Sequence, residues 1–174
     1  MSRFRWVNGL CLTHRQSSVI GVGGVRSRRG SSGRRRILLV DGETNDVGTL
    51  QHVVDSSEVD ADLEIVDGQH EALAYVWEVL DGSIHPPDLI LLDPSIPTDD
   101  ARAVVDAFKT EPRLARVPIV VVSRTLTDSE VLEFYRCHAN AYLQPPADRS
   151  DFEAAVRTLT RFWLGTVRLP GQGY

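Results

Sequence analysis

The sequence predicts an α/β protein in which five parallel strands form one doubly wound, open sheet with helices on both of its faces. Short runs of apolar residues alternate with amphipathic segments through residues 36–168. Strands that are apolar on both faces are typical of a parallel sheet buried on both sides. Right-handed crossovers between such strands distribute the connecting helices over both faces of the sheet.

The strands are predicted from five apolar runs, of which the second is the weakest and the third the most apolar. These runs are 37–40, 63–66, 88–93, 117–122 and 141–143. Each is short and ends at polar or turn-forming residues, which is the pattern of a buried strand.

The helices are predicted from apolar residues at helical spacing between these runs. The first helix spans 46–56, the second spans 70–80, and Pro97 and Asp99 begin the third. The inward-facing residues are predicted to be Ala72, Leu73, Val76 and Trp77 in the second helix, and Val104, Val105 and Phe108 in the third.

Two capping boxes predict where the fourth and fifth helices begin. Thr127 with Glu130, and Ser150 with Glu153, each place a hydroxyl three residues before a glutamate, so that both side chains satisfy unpaired amides. The inward stripe of the fifth helix is predicted to contain Phe152, Ala155, Val156, Leu159, Phe162 and Trp163.

Charge is divided unevenly along the chain of 174 residues. Residues 1–36 contain nine arginines and no acidic residue, whereas the rest contains ten of the 19 basic residues and all 24 acidic ones, a net charge of −14. We therefore expect a disordered arm rich in Arg, Gly and Ser at 1–35, one domain at 36–168, and a short tail at 169–174. The arm is interpreted first as a solvated tail; binding of nucleic acid and a transit peptide are the alternatives.

Composition excludes several classes of protein. Two cysteines without CxxC spacing do not form a secreted disulfide framework, and no stretch approaches the roughly 18 apolar residues of a membrane span. We expect a cytoplasmic protein without a membrane partner. Lys109 is the only lysine, and an acidic, arginine-rich composition is compatible with a salt-adapted cytoplasm or a GC-rich genome.

Polar side chains stand at the ends of separate predicted strands. Asp41, Asp93 and Ser123 each follow an apolar run. Because the carboxyl ends of parallel strands meet at one edge of a sheet, where such folds bind ligands, we expect these residues to share one site.

In these residues the chain resembles a response-regulator receiver domain. The resemblance is carried by the segments 37–41, 87–93 with Pro97, 117–123 and 139–143. It implies a flavodoxin-like (βα)5 receiver fold. The proline-containing loop before Asp88 and the ending Phe162-Trp163-Leu164 are similar to stand-alone receivers of the cyanobacterial-phytochrome response-regulator type, common in halophilic archaea.

The resemblance also implies roles for individual residues. Asp93 matches the aspartate that accepts a phosphoryl group, and Asp41 and Ser95 match positions that hold Mg²⁺ with it. Ser123 matches a hydroxyl that moves toward the phosphoryl group, and Tyr142 an aromatic side chain that reports this movement. Clustered carboxylates suit the chemistry because Mg²⁺ prefers hard oxygen ligands.

Two positions depart from the family pattern. Gly42 replaces the second acidic residue of the metal site, and Pro145 replaces a lysine that pairs with the phosphoryl oxygens. We therefore expect Mg²⁺ binding to be weak or absent and phosphorylation to be impaired. Glu43 and Arg124 are candidates to supply the missing acid and the missing cation.

The resemblance implies a non-enzymatic, stand-alone protein of two-component (phosphorelay) signalling that acts by binding partners. Its partners would be a sensor histidine kinase, an unidentified downstream protein and a second copy of the chain. The alternatives are a phosphorylation-independent adaptor and nucleic-acid binding through the basic arm. A phosphatase of the haloacid-dehalogenase type is disfavoured, because Ser95 stands where it needs a second aspartate.

Overall fold

Five strands alternate with five α-helices in the part of the chain that the structure describes. The structure is a computed structural model that describes residues 33–41, 47–94 and 98–169, with the side chains of 98 and 99 excepted. The elements are β1 (Arg35–Asp41), α1 (Val47–Asp55), β2 (Ala61–Asp67), α2 (Gly68–Leu80), β3 (Leu89–Leu92), α3 (Thr98–Thr110), β4 (Ile119–Val122), α4 (Asp128–Arg136), β5 (Ala141–Leu143) and α5 (Arg149–Thr160), which continues into a π-helical segment, Arg161–Thr166.

All strand pairs in the sheet are parallel, and the order of the strands is β2-β1-β3-β4-β5. The chain therefore winds first to one side of β1 and then to the other. This arrangement confirms the predicted doubly wound sheet, and it puts the carboxyl ends of β1, β3 and β4 side by side.

The central strands separate two hydrophobic cores, because alternate residues of a strand face opposite sides of the sheet. Leu38 and Ile90 belong to the core that includes residues of α2, α3 and α4. Ile37 and Leu91 belong to the core beneath α1 and α5. All four side chains are at most 1% exposed, as expected for strands that helices cover on both faces.

The structure confirms the predicted inward face of α3 and differs from the predicted inward face of α2. Val104, Val105 and Phe108 of α3 are fully buried, as predicted. In α2 the buried residues are Ala72, Tyr75, Val76 and Val79, and the predicted Leu73 and Trp77 are only partly buried. The buried arc of α2 is rotated because this helix packs against α3 as well as against the sheet.

The predicted inward stripe of α5 was wrong at Phe162. Phe162 is 50% exposed, whereas Leu164 is 5% exposed and packs in the core beneath α1 and α5. The cause is the π-helical segment, because its wider turn changes which residues face the sheet.

One of the two predicted capping boxes is present. Thr127 accepts a hydrogen bond from the backbone of Glu130, whose side chain accepts one from the Thr127 backbone. The box at Ser150 was wrong, because the N-cap of α5 is Asp148, whose carboxylate accepts bonds from the backbone N–H groups of Ser150 and Asp151. The helix therefore begins two residues earlier than predicted, and its cap bonds the N–H groups of Ser150 and Asp151.

The arginines that lead into β1 are held by acidic residues and carbonyls of the domain. Arg34 forms ion pairs with Asp60 and Asp62, and Arg35 forms one with Asp88 at 3.0 Å. Arg36 donates hydrogen bonds to backbone carbonyls of the loop before β3. Most of the predicted arm and tail, 1–32 and 170–174, lies outside the described residues.

In the described ranges no helix is both long and apolar enough to cross a membrane.

Candidate functional site

Asp41 and Asp93 stand at the carboxyl ends of neighbouring strands. The backbone N–H of Asp93 donates a hydrogen bond to the carbonyl oxygen of Val40 at 2.9 Å. Val40 of β1 pairs with Leu92 of β3. The residue that follows each of them is an aspartate, so Asp41 lies level with Asp93. Paired residues of parallel strands lie about 4.8 Å apart and project to the same face, which places both carboxylates on the side of α1 and α5.

Asp67 adds a third carboxylate at this edge. Asp67 ends β2, which flanks β1 on the side away from β3, and it pairs in register with Asp41. Asp41 is 6% exposed, whereas Asp67 is exposed at the start of α2. Sequence reasoning missed Asp67, although the Asp67-Gly68 pair that ends the second strand was a signal for it.

An open cleft of about 240 Å³ lies beside Asp41 and is lined by Ile65, Val66 and Asp67 as well. Ile65 is 43% exposed, which leaves an apolar wall next to the two carboxylates. The cleft gives water and small solutes access to Asp41 from the side of β2.

The carboxylates of Asp41 and Asp93 fit a divalent cation that keeps much of its water. Mg²⁺ is commonly bound by one or two carboxylates together with water and phosphate oxygens. No group of three metal-ligating His, Cys, Asp or Glu side chains is formed by the residues that the structure describes. Ser95 and Gly42 lie outside those residues, so the role predicted for Ser95 stays a prediction.

Ser123 follows β4, one strand away from Asp93. It is 8% exposed, and its hydroxyl oxygen accepts a hydrogen bond from the backbone N–H of Thr125 at 3.3 Å. Leu92 pairs with Val121, so Ser123 lies one residue beyond the level of Asp93. The hydroxyl is therefore held within its own loop, close to the edge where Asp93 stands.

Tyr142 reaches Ser123 from the neighbouring strand. Its hydroxyl donates a hydrogen bond of 2.8 Å to the backbone carbonyl of Ser123. Burial raises the pKa of the Tyr142 hydroxyl, and the charge of Asp128 raises it further. The backbone N–H of Tyr142 donates to the hydroxyl oxygen of Tyr135, an exposed residue of α4, at 3.2 Å. Tyr142 thus joins the strand-end loop to α4.

The position where the family pattern has a lysine carries no cation. Pro145 is buried at this position, in the loop between β5 and α5. Lys109 lies at the opposite edge of the sheet, where its ammonium donates to the carbonyl of Val117 at 2.7 Å and to the side chain of Asn140 at 2.9 Å. Arg124 is at the same edge as Asp93: its guanidinium lies 5.6 Å from the centre of the Phe152 ring.

The structure thus brings Asp41, Asp93 and Ser123 to one edge of the sheet, as the strand-end pattern predicted, and Tyr142, which the resemblance added, bonds to Ser123 there. Asp41 and Asp93 are in adjacent strands, Ser123 follows the next strand, and Tyr142 reaches it from the last. The chemical roles predicted for these four residues stay predictions.

The chain is similar to known response regulators over most of its length. It is 34% identical to the response regulator Rcp1 of Synechocystis sp. over 135 residues, which are 77% of this chain and 92% of that protein. It is 33% identical over 85 residues to the probable methanogenesis regulatory protein FilR2 of Methanothrix harundinacea, 49% of this chain and 55% of that protein.

Solved structures of related proteins have the same fold. The phosphorylated cyanobacterial phytochrome response regulator RcpA superposes with a TM-score of 0.72 at 31% identity, over 79% of this chain and 99% of that one. The Mn²⁺-bound form of Rcp1 superposes with a TM-score of 0.71 at 33% identity and the same coverage. No protein-family model matches the chain.

Proposed function

This chain belongs to the response-regulator receiver family of two-component signalling, and from that premise we propose that Asp93 accepts a phosphoryl group slowly from a sensor histidine kinase. The observation that supports the proposal most directly is the register that brings Asp41 level with Asp93 at the carboxyl edge of the sheet. RcpA, which has been solved in a phosphorylated form, supports it further.

The transfer requires little covalent chemistry from the protein. A carboxylate oxygen of Asp93 attacks phosphorus, the bond from phosphorus to the donor's nitrogen or oxygen breaks, and the leaving group takes up a proton from water. Catalysis of such a step consists mainly of positioning and neutralising charge. Asp41 and Asp93 would hold a divalent cation, which supplies that neutralisation when bound, and the Mn²⁺-bound form of Rcp1 supports a metal site of this kind.

The slow rate follows from two residues that depart from the family pattern. Gly42 contributes no carboxylate to a metal site, and Pro145 contributes no cation to the phosphoryl oxygens. A charge-assisted hydrogen bond contributes roughly 1.5–3 kcal/mol, so the absence of one at Pro145 lowers transfer and weakens the phosphorylated state.

Phosphorylation would be transmitted through Ser123 and Tyr142. A phosphoryl group adds acceptor oxygens near the Ser123 hydroxyl, which then exchanges its bond from Thr125 for one to the phosphoryl group. Such a movement displaces the Ser123 carbonyl to which Tyr142 donates. Because Tyr142 also donates to Tyr135, the change passes to α4.

We place the output surface on α4 and β5. Leu132 is 50% exposed and Tyr135 is 47% exposed on α4, beside the Tyr142 that responds to Ser123. These two exposed side chains, linked through Tyr142 to Ser123, suit contact with a downstream protein or a second copy of the chain.

We also propose that the protein is cytoplasmic. This location agrees with a chain that has two cysteines and no disulfide framework.

The proposal is tested by the intact mass of the protein after incubation with acetyl phosphate and Mg²⁺. We expect slow addition of one phosphoryl group that depends on Mg²⁺ and is absent in Asp93→Asn. Asp106→Asn, which removes an exposed carboxylate from the surface of α3, is the matched control and should behave as the wild type. A wild type whose mass does not change under these conditions would overturn the proposal.

A further inference from the structure

We infer that Arg124 is the cation that binds the phosphoryl group on Asp93. The inference rests on the proposed function, because it concerns the anion formed at Asp93, and it assigns to this site a residue of the loop between β4 and α4.

The carboxyl edge of the sheet is rich in negative charge before any phosphoryl group arrives. Asp41 and Asp67 are register partners, and Asp93 follows the strand on the other side of Asp41. A phosphoryl group adds about −1.5 to −2 charges at neutral pH. A positively charged partner, in addition to any bound metal ion, would stabilise this anion.

Neither Pro145 nor Lys109 can be this partner. Pro145 has no charge, and Lys109 is engaged at the amino-terminal edge of the sheet with the carbonyl of Val117 and the side chain of Asn140. The cation must come from a loop at the carboxyl edge, and the loop after β4 supplies Arg124 directly beyond Ser123.

The backbone fixes Arg124 above the strand ends. The N–H of Ser123 donates to the carbonyl of Leu143 at 3.1 Å, which keeps β4 and β5 together up to this residue. Asp93 is level with Val122 by the register of β3 and β4. Ser123 directly follows β4, and Arg124 comes next in the loop at the same edge of the sheet as Asp93.

The guanidinium is supported on the correct face of the sheet. It lies 5.6 Å from the centre of the ring of Phe152, which is 2% exposed in the first turns of α5. It also donates to the carbonyl of Pro146 at 3.4 Å. Asp41 and Asp93 project toward the same side of the sheet as α5, so Arg124 is held on the side where the phosphoryl group would form.

The chemistry of arginine suits this role. A guanidinium presents five N–H donors in a planar fork that matches two phosphoryl oxygens at once, and it remains charged throughout the physiological pH range. Stacking on a buried aromatic ring stabilises the cation and keeps its plane oriented.

The first test measures anion binding without any phosphoryl transfer. The Asp93→Asn protein is titrated with inorganic phosphate while the Nε–H resonances of its arginines are followed by NMR; the resonance lost in Arg124→Lys identifies Arg124. We expect phosphate to shift the Arg124 resonance and to leave that of the exposed Arg157 on α5 unchanged. An Arg124 resonance that phosphate does not move overturns the inference, whether or not Asp93 is phosphorylated.

The second test measures phosphorylation in matched variants. With acetyl phosphate and Mg²⁺, the initial rate should fall about tenfold in Arg124→Gln, recover in part in Arg124→Lys, and stay unchanged in Arg157→Gln, which removes the same charge from an exposed position. Equal rates for the wild type and Arg124→Gln would contradict the inference while leaving the proposed function intact. A wild type that binds phosphate through Arg124 but is never phosphorylated would contradict only the proposed function.

Discussion

The hydroxyl of Tyr142 donates a hydrogen bond to the backbone carbonyl of Ser123, and the 2.8 Å distance between the two oxygens links the ends of β5 and β4 directly. The backbone N–H of Ser123 in turn donates to the carbonyl of Leu143, so two bonds join these strand ends. A change at the Ser123 loop therefore reaches Tyr142 through the backbone and continues to Tyr135 on α4.

Replacing Tyr142 by phenylalanine removes the bond to Ser123 and keeps the ring. We expect the free energy of unfolding to fall by about 0.5–1.5 kcal/mol, the net contribution of one partly buried hydrogen bond. Chemical denaturation measures this value. Tyr135→Phe instead removes the 3.2 Å bond from the Tyr142 N–H to an exposed hydroxyl and should cost less stability. A Tyr142→Phe protein as stable as the wild type would show that the bond to Ser123 does not contribute.

Replacing Asp41 by asparagine removes one of the two carboxylates that we propose as ligands of a divalent cation. We expect Mn²⁺ to bind at least tenfold more weakly, because only two carboxylates would hold the metal ion and one of them is lost. Paramagnetic broadening of backbone NMR signals at the strand ends measures the binding. Asp67→Asn, at the same edge but exposed, should have a smaller effect, and a reversed order would move the metal site toward β2.

The pH dependence of stability should carry a contribution from Lys109. Burial lowers the pKa of its ammonium from 10.5 to about 8. Between these values the unfolded chain binds more protons than the folded one, so this residue makes stability rise as pH increases from 8 to 10.5.

The comparison of the wild type with Lys109→Met isolates this contribution, because the tyrosines titrate in both proteins. As the pH rises from 8 to 10.5, the free energy of unfolding of the wild type should increase relative to that of Lys109→Met. A difference that is constant over this range would show that Lys109 keeps an ordinary pKa in the folded protein.

The start of α5 allows a prediction that separates two helix caps. The carboxylate of Asp148 accepts bonds from the N–H groups of Ser150 and Asp151, and bonds from Ser150 and Asp151 lower the pKa of Asp148. We expect Asp148→Ala to be more destabilising than Ser150→Ala in thermal unfolding. The stabilisation by the Asp148 cap is fully present at pH values above the pKa that Asp148 has in the unfolded chain. It is lost as the pH falls through the lower pKa that Asp148 has in the folded protein.

Much of the fold could be predicted from the sequence because the strands are unusually uniform. Runs such as 37–40 and 117–122 are apolar on both faces, and only a parallel sheet covered on both sides buries them fully. The convergence of Asp41, Asp93 and Ser123 followed from this sheet alone. Thr127 and Glu130 formed their predicted capping box because both partners are local in sequence.

The features that the sequence did not predict depend on packing between distant elements. The inward arc of α2 is rotated by its contact with α3, and the π-helical turn after Thr160 exposes Phe162. The N-cap of α5 is Asp148, two residues before Ser150, and nothing in the spacing of Ser150 and Glu153 indicated this earlier start. The support of Arg124 by Phe152 joins a loop and a helix that are far apart in sequence.

The most direct test of the account locates the phosphoryl group. After incubation with acetyl phosphate and Mg²⁺, reduction with borohydride converts a phosphoaspartate into homoserine, and peptide mass spectrometry then identifies the modified position. The account predicts homoserine at position 93, at low occupancy and only when Mg²⁺ is present. Homoserine at position 41 or 67 instead, or at none of these positions, would contradict the assignment of Asp93 as the phosphoacceptor.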